Sequence, residues 1–174
     1  AHQLSKDGIA VYGLDRRGSG TNVRIKGNSK DWSEDVNQII KIARRENPNA
    51  HVNLTSLCFG ARLATSFAIK NPGKIDSLVY ISPGFNMKVG PDFFETTSII
   101  LDCLGIQTNT SSPIKRDEMF TLNPRYLKFL REDMLRTRAP NSDTYIEGQK
   151  LLDNCMKNRN KINNASDIDK LAQE

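Results

Sequence analysis

Cys58 lies in the run Val52-Asn53-Leu54-Thr55-Ser56-Leu57-Cys58-Phe59-Gly60-Ala61-Arg62-Leu63-Ala64, where an apolar stretch feeds a small-x-Cys-x-Gly turn and a helical pattern begins at once. This is the layout of a nucleophile elbow, with cysteine where the G-x-S-x-G pattern carries serine. A sharp strand-to-helix turn holds its central residue in a strained conformation, and bulky residues two positions to either side would collide. Ser56 and Gly60 are small enough to avoid this. The turn lifts the Cys58 sulfur above the sheet and leaves it at a helix N-terminus, where the partial positive charge of the helix favours thiolate over thiol. The competing reading is a buried, inert cysteine, the usual fate of a free thiol. A strand before the turn and a helix after it favour the elbow.

A cysteine nucleophile needs a base, and the chain has only two histidines, His2 and His51. His51 begins the strand that ends beside Cys58. At ~3.3 Å per residue the two lie roughly 20 Å apart, far beyond the ~3 Å of a proton transfer. His2 precedes its own strand in the same way and belongs at the same distant edge. Both read as solvent-facing. Asp15, at the end of a strand near the Cys58 edge, is the tempting acid.

The elements around the turn follow from periodicity. Ile9-Ala10-Val11-Tyr12-Gly13-Leu14 is a short apolar run, as expected of a buried parallel strand. Asp31 and Glu34 form a candidate capping pair for a helix carrying Val36, Ile39, Ile40 and Ala43 at helical spacing. Asn47-Pro48-Asn49 stops it, and His51 to Ser56 is the next strand. The helix after Cys58 stacks Phe59, Leu63 and Phe67 on one face, while Ala61, Ala64 and Ala68 keep it slim enough to lie close on a sheet. Asn71-Pro72-Gly73 ends it, and a third strand runs from Ile75 to Ser82. Strands alternating with helices of this length predict an α/β fold with a parallel sheet and right-handed crossovers.

The run Gly8 to Asn22, with Asp15-Arg16-Arg17-Gly18-Ser19-Gly20 at its centre, resembles the fourth strand and following loop of α/β-hydrolases, which often read Asp-x-Arg-Gly-x-Gly there. The elbow follows at the usual distance, and Leu78-Val79-Tyr80-Ile81-Ser82-Pro83 resembles the sixth strand. Within that superfamily the likeness is to lysophospholipase and monoacylglycerol-lipase-like members, whose next region is a helical lid. Phe120-Thr121-Leu122-Asn123-Pro124 and Phe129-Leu130-Arg131-Glu132-Asp133 look like part of one. The match is carried by residues 8–84, is loose over 85–164 and uninformative over 165–174. Cys58 departs from the serine pattern and is similar to the cysteine elbow of dienelactone hydrolases. The resemblance implies that Asp15 orders its loop rather than catalysing, and that the Phe59 N–H supplies half of an oxyanion hole.

At 174 residues the chain is shorter than the ~250–300 residues of a large α/β domain. The resemblance therefore implies an internal fragment: residues 1–84 a partial core, 85–164 a lid, and 165–174 the start of further core. It implies that the catalytic acid, the histidine and the second oxyanion donor lie outside these residues. It also implies that residues 9–14 and 51–56 lie two strand spacings apart, ~9–10 Å, with a vacant position between them, while residues 51–56 and 76–82 pair directly in parallel.

Composition narrows the partners. Lys and Arg number 25 against 20 Asp and Glu, a net charge of +5, but only Arg16-Arg17 and Arg44-Arg45 are adjacent pairs. Lys128, Arg131, Arg136 and Arg138 are spread along the lid. A nucleic-acid binder would cluster that charge with stacking aromatics, so solvated helix faces are expected, an anionic lipid surface being the sharper alternative. No run reaches the ~18–20 apolar residues of a membrane span. Cys58, Cys103 and Cys155 form no CxxC or zinc spacing; no metal or cofactor is expected, and an odd count suggests free thiols and a cytoplasmic setting. Phe93, Phe94, Ile99, Ile100, Leu101 and Leu104 form one apolar lid cluster, and Leu127, Phe129, Leu130, Met134 and Leu135 another. Over Cys58 these would line an acyl-sized pocket. Asn141-Ser142-Asp143 starts a helix from Thr144 to Asn158, and a loop follows. The expected activity is hydrolysis of ester or thioester acyl substrates, lipids among them, through Cys58. The alternatives are acyl transfer and a non-catalytic binding module.

Overall fold

The computed structural model describes residues 2–85, 93–106, 116–137 and 142–161. Arg138, Asn141 and residues 162–174, about which the sequence raises expectations, lie outside them. The elements run α1 (His2–Lys6), α2 (Ser29–Glu46), β1 (Asn53–Leu57), α3 (Gly60–Lys70), β2 (Ser77–Ile81), α4 (Phe93–Cys103), α5 (Pro124–Glu132) and α6 (Ser142–Lys157), with short 3-10 turns at Gly20–Asn22, Asp117–Met119 and Arg159–Lys161.

β1 and β2 pair in parallel with Asn53 opposite Ser77 and Leu57 opposite Ile81, so the connection through α3 is the expected crossover. Side chains alternate across a strand. Leu54 and Ser56 therefore turn inward, whereas Leu57, Val79 and Ile81 are exposed. Strands buried on both faces were expected; here one face is covered. The reason is that α3 lies on the sheet and α2 and α6 pack against α3. Trp32, Val36 and Ile40 of α2, Leu63 and Phe67 of α3, and Leu151 of α6 form the core. Ala61 and Ala64 are fully buried, as a helix lying close on a sheet requires.

The start of α2 differs from the sequence reading. α2 starts at Ser29, and its capping box is Asn28 with Asp31: the Asn28 side chain accepts from the Lys30 and Asp31 amides, and Asp31 returns a bond to the Asn28 amide. The Asp31 and Glu34 pairing gives way because Asn28 begins an overlapping box one turn earlier. Glu34 instead accepts from Asn37 and Gln38.

Residues 9–14 form no strand. They are tied to α2 by the Tyr12 hydroxyl, which donates to Glu46 at 2.7 Å and accepts from Asn47 at 2.9 Å. Between this segment and β1 lies a cavity of about 570 Å³ lined by Leu4, Ile9, Val11, Val52 and Leu54. A strand is made by its neighbour's hydrogen bonds, and across this gap the segment has none. Among the described residues the sheet has two strands, and the edge of β1 facing the cavity has no strand partner. This is the vacant position expected between residues 9–14 and 51–56.

Candidate active site

Cys58 is the residue between β1 and α3, with φ at 49°, one of two non-glycine residues at positive φ among those described. An L-residue in that region is strained, and the surroundings must hold it there. They do so through the backbone. The Cys58 N–H donates to Ile81 O at 3.1 Å, and Cys58 O accepts from the Gly84 N–H at 2.9 Å and the Ala61 N–H at 3.0 Å. Phe59 is the N-cap of α3 and already helical. A Cβ at Gly60 would stand 3.7 Å from the Ser56 Cβ, an ordinary van der Waals contact, so a methyl group fits there. Cys58 is half-buried, on the rim between β1 and α3.

The clamp on the elbow comes from Gly84, which sequence reasoning used only to mark the end of a strand. A Cβ there would sit 3.0 Å from the Cys58 carbonyl carbon and 3.1 Å from the Phe59 nitrogen. Only glycine lets this loop close on the turn. Arg62 then holds the Gly84 carbonyl through Nε at 2.8 Å.

Phe59 turns its ring inward. It meets Trp32 edge-on at 6.3 Å, and a Cβ at Gly148 of α6 would land on it. The Arg16 guanidinium stacks on both rings, 4.6 Å from the Trp32 centroid and 5.0 Å from that of Phe59. Burial pulls the Arg16 pKa below the ordinary arginine value. Arg16 Nη1, Trp32 Nε1 and Ser56 Oγ are buried without a hydrogen-bond partner among the described residues. None of these contacts is readable locally, because the partners are far apart in sequence.

Asp15 is committed to its loop. Its Oδ2 accepts from the Thr21 amide at 3.0 Å and the Thr21 hydroxyl at 2.9 Å, and its carbonyl accepts from Asn22 Nδ2 at 2.6 Å. The Thr21 bonds hold its carboxyl below the usual range. Arg17, the family-pattern arginine, pairs with Asp35 at 3.1 Å and Asp31 at 3.5 Å. His51 lies before the start of β1 while Cys58 follows its end, and His2 is exposed on α1. The structure brings neither histidine to the elbow.

Cys155 is a different kind of thiol. It is 4% exposed on α6, 3.4 Å from Arg62 O, and burial pushes its pKa up to about 11. Among the described residues no cluster of His, Cys, Asp or Glu could hold a metal ion, and no helix is long and apolar enough to cross a membrane.

A parallel strand-elbow-helix-strand unit with helices laid on it defines the class of the molecule, an α/β-hydrolase fold. More narrowly, the chain belongs to the family described as "Serine aminopeptidase, S33", whose profile matches residues 1–166. A comparison with curated proteins finds no match. Among solved structures the chain is similar to the monoacylglycerol lipase of Paleococcus ferrophilus, with a TM-score of 0.72 and 19% identity, over 90% of this chain and 60% of the lipase. It is also similar to a Mycobacterium tuberculosis H37Rv protein described as "Putative non-heme bromoperoxidase BpoC", with a TM-score of 0.47 and 16% identity, over 76% of this chain and 52% of that one. The chain thus spans less than two thirds of the length of either protein.

Proposed function

We propose that this chain carries the nucleophile of a hydrolase that acts on ester or thioester acyl substrates through Cys58. The observation that carries the reading is the Cys58 backbone: a strained, clamped, half-exposed thiol between a strand and a helix, in a family built around a nucleophile at that turn. Cys58 Sγ attacks the acyl carbonyl carbon and a C–S bond forms. The carbonyl oxygen becomes an oxyanion that accepts a hydrogen bond from the Phe59 N–H. The C–O or C–S bond to the leaving group breaks, the leaving group takes a proton, and an acyl-thioester remains on Cys58. Water releases it, and a base must activate that water. His2 and His51 are too remote to serve, and no other base stands at Cys58 among the described residues.

The name of the lipase supports a lipid or other small ester as substrate. α4 and α5 fit a lid for an apolar acyl chain: Phe93, Phe94, Leu104, Phe129 and Met134 expose their side chains. α4 is moored to α6 by the Ser142 hydroxyl, which bonds Asp102, and α5 is braced by Arg131 and Arg136 on Asp117. Its free thiols suit a reducing, cytoplasmic setting. The test is intact-mass analysis after exposure to a p-nitrophenyl ester: one acyl group on Cys58, absent in Cys58→Ala, is expected. Acylation unchanged in Cys58→Ala overturns the reading.

A further inference from the structure

Gly148 lies near the middle of the 16-residue helix α6 and is buried there. Glycine weakens a helix interior relative to alanine, because it has more backbone freedom to lose. Its neighbour supplies the reason for it. A Cβ at Gly148 would stand 2.5 Å from Phe59 Cε2 and 2.8 Å from Phe59 Cζ, well inside the ~3.5–4.0 Å at which carbon atoms rest. The ring has little room to yield. Trp32, 1% exposed, meets it edge-on at 6.3 Å, and the Arg16 and Arg62 guanidiniums lie 5.0 and 5.8 Å from its centroid. α6 is also fastened to α3 around this point. Gly148 O accepts from Arg62 Nη1 at 3.4 Å, the Cys155 thiol donates to Arg62 O at 3.4 Å, and Asn154 Nδ2 donates to Ser66 Oγ at 2.9 Å. The backbone behind the ring is that of the elbow, and the Phe59 N–H makes no hydrogen bond among the described residues.

We propose that Gly148 is a positioning residue of this site: by leaving room for the Phe59 ring against α6, it fixes the peptide whose N–H meets the oxyanion. The inference rests on Cys58 being the nucleophile and Phe59 the donor. A ring hemmed in by Trp32, Arg16 and Arg62 passes a push from α6 back to its own Cα. The donor must stand ~2.7–3.1 Å from the oxyanion to act, so a displacement of a few tenths of an ångström weakens it. Side-chain seating on a lid-region helix thereby sets a backbone group at the nucleophile.

The experiment compares two reactions of the Cys58 thiol, acylation by p-nitrophenyl acetate and alkylation by iodoacetamide, each followed by mass spectrometry in the unsubstituted chain and in Gly148→Ala. Acylation passes through an oxyanion, whereas alkylation displaces iodide from a saturated carbon and forms none. Their ratio therefore reads the Phe59 N–H and cancels changes in access to the thiol or in its ionisation. Gly148→Ala should lower the ratio about tenfold, part of the ~10²–10³-fold that a lost oxyanion donor costs. A folded Gly148→Ala with an unchanged ratio overturns the inference, as does an equal fall in Gln149→Ala, at the exposed neighbouring position. Should Gly148→Ala fail to fold, Phe59→Leu is measured in its place, since it keeps the N–H and gives up the ring's seat. A lowered ratio there supports the inference, and an unchanged one overturns it. If instead the nucleophile reading fails, acylation survives in Cys58→Ala and maps elsewhere. Failure of the Gly148 inference leaves the acyl group on Cys58 with its ratio unchanged, so the two are distinguishable.

Discussion

At the scale of single residues, the site consists of one strained cysteine and the groups that keep it strained. Positive φ at a non-glycine residue costs of order 1 kcal/mol or more, and two backbone bonds from the β2 side, from Gly84 and to Ile81, offset it. The two described thiols differ in both access and chemistry. Cys58 is half-exposed on the rim, whereas Cys155 is buried with its pKa near 11. Iodoacetamide should therefore modify Cys58 first among the three cysteines of the folded chain, since the thiolate is the reacting form. Peptide mapping in which Cys155 or Cys103 is labelled ahead of Cys58 would count against the elbow as a reactive site. The strand-to-helix turn at Cys58 and Phe59 could be read from the sequence because its small residues are local to it. Gly84, Arg62, Arg16 and Trp32 could not. Arg62 occupies an ordinary helical position for a solvated arginine, and its partners lie 22 and 86 residues away.

At the scale of elements, α6 and α2 are joined by Glu147. Its carboxylate accepts from the Ser29 amide at 2.7 Å, at the start of α2, and from Lys150 Nζ at 2.6 Å. Burial pushes this carboxyl up, but the Lys150 and Ser29 hydrogen bonds more than reverse that and leave it at about 2, against an ordinary 4.5. A folded-state pKa below the unfolded one stabilises above the unfolded value and is lost as pH falls through the folded one. The contribution is thus complete above about pH 5 and fades toward pH 2, and it is worth about 2 kcal/mol with allowance for the exposed Lys150 ammonium. Glu147→Gln should lose that amount at neutral pH by urea denaturation and show a shallower loss of stability in acid. A variant as stable as the unsubstituted chain at pH 7 would refute the assignment. Helices and strands were legible where their signals are internal: α3 ends at Lys70 with Asn71 as its C-cap, where Asn71-Pro72-Gly73 predicts a stop, and β1 and β2 pair directly in parallel as expected. Residues 9–14 read as a strand from the same kind of apolar run, but strand formation needs a partner and the cavity beside them holds none.

At the scale of the whole molecule, the sheet has, among the described residues, two strands, an unpaired β1 edge and an uncovered face carrying Leu57, Val79 and Ile81. Unpaired edges and exposed apolar strands favour association between chains. The 174-residue chain should accordingly melt at low temperature with poor cooperativity, or scatter light as it is concentrated. A sharp, high-temperature melt of a monomer would show that the gap and the bare face cost little, and would revise the strand assignment. The same openness bears on chemistry, because the elbow is formed while the base is not supplied. The central claim is therefore tested by acylation rather than turnover. When the chain is mixed with a p-nitrophenyl ester and its intact mass and peptides are measured, the account predicts one acyl group per chain, on Cys58, with no catalytic release at the rate of a complete triad and no adduct in Cys58→Ala. Multiple turnovers that vanish in Cys58→Ala would contradict the absence of a base at the elbow among the described residues, and acylation that survives in Cys58→Ala would contradict the nucleophile itself.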